Sequence, residues 1–540
     1  MAVVTVVGSG PSGVHFAEAL LDLGHRVRMF DVGVQAPPPV LPETSMEALK
    51  SELPDPSSYF LGPDFEALIQ PDHGSEYYGT PPSKSYVFQG ADSQPTELEG
   101  FDPLFSWARG GLAEAWTGGS YPFNAAELAS FPFEFDDLAR FYDDVAERIG
   151  ICGETDALAR FIPAHDHMGP PLNLDRHATR LLDRYRRKKD RLEARLGLHM
   201  GRSRIAVNTL GREGRAACTY LGRCLWGCPR QALYTPSLTL AALQSRPNFE
   251  YLPGRLVRYF EFDESGRASA LIWTDPAGGP EQRAPVEILA LAAGTLPTAR
   301  IYLESFRRAR GEAVRLEGLM DNRQVMVPFL TVDQVGKAFQ PDSYQYNLIA
   351  MGLEAEREEE YVHCLITTLK TALVHPVIQS LPLDLRTATW VFRNIRAALG
   401  LVNVNFHDRR RDDSYVELSD APGEYGSLSV VYRPAADEPA RVSDALKRLR
   451  RGLGALGAVV PPGMTRWRGM GASVHYAGTL HMSESGGEHT TDPLGRSRSV
   501  ENLLLVDGST FPFLPAKNLT FTLMANARRI AHGAFGAGAS

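Results

Sequence analysis

The chain opens on an apolar, β-branched run, Ala2–Val7, which reads as a buried strand. A glycine-rich turn follows, then apolar positions at helical spacing that continue through Leu20 and Leu23 to a stop at Gly24. His25–Phe30 is a second strand and ends on Asp31. Further along, Leu401–Phe406 and Ser427–Tyr432 alternate as strands do, while Leu174–Leu198 and Val442–Leu456 carry the helical period. A helix of small and apolar residues runs from Phe521 to about Ala531. Residues 37–100 are rich in Pro, Ser and Asp with little period, which marks an excursion covering a site or its entrance.

The first turn reads Gly8-Ser-Gly10-Pro-Ser-Gly13. In such a turn Gly8 makes the bend, Gly10 lets a pyrophosphate approach the backbone, and Gly13 packs helix on strand. The helix N-terminus offers free N–H groups and a partial positive charge to phosphates. Asp31, at the end of the second strand, is placed to accept hydrogen bonds from a ribose. Strand, turn, helix, strand and acid in this order predict an α/β protein with a Rossmann-like dinucleotide site.

Composition narrows the picture. At 540 residues, 44% apolar and 22% charged, the chain is globular and large enough for two interleaved domains. A net charge of −8, with basic runs no longer than Arg186–Lys189 and Arg409–Arg411, argues against nucleic acid as a partner. No apolar run approaches the roughly 18 residues of a membrane span. A strand beginning at Ala2 leaves no charged leader region, so a cytoplasmic protein is expected. Five cysteines make no disulfide framework, yet Cys218, Cys224 and Cys228 share one short loop. Three thiolates there suit a soft metal or an iron–sulfur cluster, and equally a buried group of reduced thiols; both readings stand at this point.

The C-terminal region is the most informative. It reads His475-Tyr-Ala-Gly-Thr479-Leu-His481-Met482, then Asn502-Leu-Leu-Leu-Val-Asp507-Gly508-Ser509-Thr-Phe-Pro512, then Pro515-Ala-Lys-Asn518-Leu-Thr520. This resembles the glucose–methanol–choline (GMC) family of FAD-dependent oxidoreductases. Gly110-Gly111-Leu-Ala-Glu-Ala-Trp116-Thr-Gly118-Gly119 is similar to the family's glycine-rich segment along the flavin. Ile288–Ala293 with Gly294-Thr-Leu-Pro-Thr298 resembles its third-strand signature, after an adenine-contacting strand near Val257. His481 and Ser483 depart from the pattern around Met482, and no histidine lies between Gly110 and Gly119 to bind flavin covalently.

The resemblance implies non-covalent FAD, held by Gly8, Gly10, Gly13, Asp31, Gly110, Gly111, Trp116, Gly118, Val257, Gly294, Asp507, Gly508, Asn518 and Thr520. It implies His475 as the base that takes a hydroxyl proton and Asn518 as the donor that orients the same oxygen. Outside such surroundings, His15, His165, His363 and His532 are expected to be structural or at the surface. A discontinuous flavin domain is expected from residues 1–36, 101–125, 201–312 and 465–540, a lid from 37–100, and a substrate domain from 126–200 and 313–464, built as one antiparallel sheet, with Leu401–Phe406 and Ser427–Tyr432 among its strands, backed by helices. The cysteine spacing is similar to that of sugar dehydrogenases of the family, in which it holds a [3Fe-4S] cluster. Sequence length and cysteine pattern also resemble the aminoglycoside 6′-alcohol oxidases of antibiotic biosynthesis. The expected reaction is therefore oxidation of a CH–OH group on a small sugar or aminosugar, with O2 or a protein as electron acceptor. The alternatives are a non-redox lyase of the same fold, a non-sugar alcohol as substrate, and a nicotinamide-dependent dehydrogenase.

Overall fold

The computed structural model describes the chain except residues 36–40, 69–79, 89–95, 213, 371–373, 420–424 and 537–540. One sheet holds five strands in the order Leu503–Leu505, Ile288–Leu291, Val3–Val7, Arg26–Phe30, Phe249–Leu252. Every pairing in it is parallel, so each connection must cross over, and the strands come from distant parts of the chain. Helix Pro11–Asp22 makes the first crossover, with proline at its first turn, where a missing N–H costs nothing. Val4 and Val6 pack with Phe16, Leu20, Ala527 and Ile530 on one face of the sheet. Val7, Leu289 and Leu291 pack with Leu296, Ala299 and Leu303 on the other. Helix Thr520–Phe535 thus lies against the first helix and shares its core.

The second large sheet is antiparallel, in the order Ala458–Val459, Gln324–Thr331, Leu399–Asn405, Val362–Thr368, Ile349–Leu353, Leu198–Arg202. Arg466–Trp467 also pairs with Gln324–Thr331. Alternation along these strands divides the labour. Val325, Val327, Val402, Val404, Cys364 and Ile366 pack under helices Arg176–Leu196 and Glu438–Ala455. The register sets Gln324 and His363 opposite Asn405, and Leu365 opposite Asn403, on the other face. Gln324, Leu365 and Asn403 from that face line the main cavity.

Two features differ from expectation. Ser427–Val431 does form a strand, but in a separate four-stranded sheet with Arg315–Glu317, Tyr415–Ser419 and Thr96–Glu99. Alternation marks a strand without naming its partner. The 37–100 excursion is also partly built in: Thr96–Glu99 pairs parallel with Ser427–Val431, and Met46, Leu49 and Phe60 form a core with Trp226. Its residues 37–40, 69–79 and 89–95 lie outside the described residues. Among the described residues, no helix is long and apolar enough to cross a membrane.

A fully buried ion pair ties the C-terminal loop to the middle of the chain. Lys517 Nζ donates to Glu127 Oε2 at 2.6 Å, to the Phe161 carbonyl at 2.8 Å and to the Pro122 carbonyl at 2.9 Å. Burial pulls the lysine pKa down and the glutamate pKa up, and each partner's charge opposes the shift. Lys517→Met strands a buried carboxylate and is expected to cost about 3–5 kcal/mol. Thermal melting of the variant, beside the Glu127→Gln/Lys517→Met double variant, checks this: the double variant should recover most of the loss.

Candidate active site

One cavity of about 370 Å³ runs along the carboxyl ends of the parallel strands. Gly8, Gly10 and Asp31 line one end, Gly111, Trp116 and Gly294 the middle, and His475, Asp507, Gly508, Asn518 and Thr520 the rest. Gly13, Gly110 and Gly118 are not among the residues that line it. A Cβ at Gly13 would meet the Gly8 carbonyl oxygen at 2.0 Å, so glycine is required for helix to meet strand. Val257 is buried in strand Leu256–Phe262, paired with Trp273, and is not part of the cavity wall.

The end near Gly10 fits a dinucleotide. A Cβ at Gly10 would meet no atom within 4 Å, which leaves the backbone open to a ligand at the start of helix Pro11–Asp22. Asp31 accepts from the Ser9 hydroxyl and, at 2.9 Å, from the Tyr251 hydroxyl. Burial pushes its pKa up to about 6 while those two donors hold it down. Asp507 clamps the strand ends: its Oδ2 accepts from Gly294 N at 2.9 Å and Thr298 Oγ1 at 2.6 Å, its Oδ1 from Ser509 N at 3.0 Å.

At the far end the two expected catalytic side chains meet. Asn518 Nδ2 lies 3.3 Å from His475 Nε2, and Asn518 sits just before helix Thr520–Phe535. Burial, and then the Arg468 guanidinium, hold the His475 pKa down to about 4, so the ring is neutral and able to accept a proton near pH 7. Val474, immediately before it, has φ +62°, a left-handed conformation that strains a β-branched residue. That turn is held by the segment that leads into strand Gln324–Thr331. Asp321 accepts from Gly471 N at 2.6 Å and from the Ser473 hydroxyl, and Ser473 Oγ accepts from His475 N at 2.9 Å. Asn322 Oδ1 stands 2.9 Å from His475 Nδ1. Gln324 Oε1 accepts from Arg468 Nη1 at 2.5 Å.

Asp321, Asn322 and Gln324 are functional neighbours that sequence reasoning missed. The available signal was a run of four polar residues, Asp321-Asn-Arg-Gln324, entering an apolar strand. His363 is buried, bonded at Nδ1 to the Tyr361 hydroxyl at 3.2 Å, and near enough to His475 for their charges to interact.

The structure gives no support to the metal site that the cysteine spacing suggested. Among the described residues, no group of three His, Cys, Asp or Glu side chains is arranged to hold a metal ion. Cys218, Cys224 and Cys228 instead pack against the apolar core under the antiparallel sheet. Burial raises the thiol pKa of Cys218 and Cys224, which favours the protonated form. The loop is shaped by Arg223, which donates to the Pro42, Thr44 and Gly227 carbonyls at 2.6, 3.0 and 2.7 Å.

The cavity thus joins a cradle that fits a dinucleotide to a half-buried histidine–asparagine pair. Residues 411–527 match the GMC oxidoreductase family model, and that stretch contains His475, Asp507 and Asn518. The chain is 24% identical to 6'''-hydroxyparomomycin C oxidase of Streptomyces lividus, over 97% of this chain and 90% of that protein. It is also 24% identical to paromamine 6'-oxidase of Streptomyces fradiae, over 99% and 91%. Among solved structures, its fold is similar to pyridoxine 4-oxidase from Mesorbium loti, with a TM-score of 0.60 and 15% identity over 98% of this chain and 99% of that one. A formate oxidase of Aspergillus oryzae gives a TM-score of 0.61 and 11% identity over 98% and 97%.

The open space at Gly10 gives a direct check. Gly10→Val should purify with the fold intact by circular dichroism but without the yellow flavin absorbance of the parent. Asp31→Ala should retain FAD more weakly, read as faster loss of the ~450 nm band on dialysis.

Proposed function

We propose that this enzyme oxidises a hydroxyl-bearing carbon of a sugar or aminosugar, with FAD held non-covalently. The observation that carries the reading is the meeting of His475 Nε2 and Asn518 Nδ2 in a cavity continuous with the dinucleotide cradle. FAD bound in that cavity supplies the hydride acceptor. His475 takes the hydroxyl proton as the carbon is oxidised, which its neutral state allows. Asn518 donates to the same oxygen and fixes its direction; an amide does not titrate, so the pair keeps one base and one orienting donor. The glycine-rich segment from Gly110 to Gly119 offers no histidine for a covalent flavin bond.

For the substrate, the names of the two Streptomyces relatives support an aminoglycoside, and the proposed reaction is oxidation of one of its primary hydroxyls to an aldehyde. The net charge of −8 adds a modest attraction for a cationic substrate. Oxygen is the electron acceptor in this reading, as befits relatives named oxidases.

Anaerobic addition of paromamine to the yellow enzyme should bleach the ~450 nm band, and mass spectrometry should find a product two hydrogens lighter. A band unchanged by paromamine and by neutral sugars would point to non-redox chemistry instead. His475→Ala should slow turnover by roughly 10²–10⁴-fold with FAD still bound. With His475 titrating at about 4, kcat/KM should fall only as the pH drops through that value, because the protonated ring cannot accept a proton.

A further inference from the structure

We infer that Asn322 is a positioning residue which fixes the tautomer of His475 and, through the same amide, the loop that carries Asn518. This rests on the reading of His475 as the base. The amide of Asn322 is buried, and both of its ends are committed. Nδ2 donates to the Phe406 carbonyl at 2.8 Å and to the Pro515 carbonyl at 3.0 Å. Both partners are acceptors only, so the amide cannot be turned round without setting oxygen against two carbonyl oxygens. Oδ1 is therefore the atom that faces His475 Nδ1 at 2.9 Å, and it can only accept.

A ring nitrogen facing an acceptor must carry the proton. Nδ1–H then donates to Asn322, and Nε2 keeps its lone pair. The other end of the ring agrees: Asn518 Nδ2 faces Nε2 at 3.3 Å, and a donor there needs an acceptor. The opposite tautomer would set acceptor against acceptor at Asn322 and donor against donor at Asn518. Asn322 thus does for His475 what a carboxylate does in other histidine-base sites, without adding a negative charge. The charged and titratable groups around the ring are Arg468 and His363, with Asp321 reaching its backbone through Ser473. The bond to Pro515 matters as much, because that carbonyl lies three residues before Asn518. One amide sets both catalytic side chains against each other.

The test uses the FAD-loaded enzyme and two variants. In a pH titration of the flavin absorbance, wild type should show a low-pH transition that His475→Ala lacks. Asn322→Asp places a carboxylate at Nδ1 and should raise the midpoint by about one pH unit or more. Asn322→Leu, which cannot accept, should slow anaerobic flavin reduction by paromamine by roughly 10²–10⁴-fold, with KM changed less than about threefold. A midpoint in Asn322→Asp equal to that of wild type overturns the inference, as does an Asn322→Leu rate within about threefold of it. Loss of flavin in Asn322→Leu leaves the decision to Asn322→Asp. The underlying reading fails separately: His475→Ala would then keep both the transition and the rate, or wild type would show no transition.

Discussion

The site depends on a seam. Met320 and Ala477 form a backbone bridge, with Met320 N to Ala477 O at 2.9 Å and the return bond at 3.1 Å. That bridge is where the antiparallel sheet, through the lead-in to Gln324–Thr331, meets the segment that carries His475. A catalytic base held between two sheets can be placed to a fraction of an ångström only if both are pinned there, because a small misplacement costs rate steeply. The residues on either side of the bridge all serve this end. Asp321 holds the turn, Asn322 the ring, and Gln324 the neighbouring guanidinium.

Packing also sets the chemistry. A ring left in water would titrate near 6.5; at the cavity wall, beside Arg468, His475 stays neutral far below that. The strain at Val474 belongs to the same arrangement. A left-handed valine persists only where its neighbours over-determine it, and here Asp321 and Ser473 do so from opposite ends of the turn.

What the sequence made legible follows from how each feature is encoded. The Gly8–Asp31 unit could be picked out from residue types at short, fixed spacings, His475 and Asn518 from a family resemblance, and the structure brings all of them to one cavity. Asn322 could not. Its partners Phe406, His475 and Pro515 lie 84, 153 and 193 residues away, and an asparagine before a strand is commonplace. The strand at Ser427 was legible but its sheet was not, since alternation carries no record of the partner. The cysteine loop shows the converse limit. Spacing along the chain lets three thiols approach one another, and in the fold Cys218, Cys224 and Cys228 stand close enough for their charges to interact while packing against the apolar core.

The parallel sheet has a consequence for the order in which this molecule can be made. Its central strand, Val3–Val7, is flanked by Ile288–Leu291, which in turn pairs with Leu503–Leu505. Helix Thr520–Phe535 then closes over Pro11–Asp22. A ribosome delivers the first of these pieces long before the last, so the opening strand and helix must wait with apolar faces uncovered. The cradle at Gly10 and the pair at His475 and Asn518 are completed together, only once helix Thr520–Phe535 has been made. A nascent chain that stalls in the middle holds Gly10 and Asp31 but neither His475 nor Asn518.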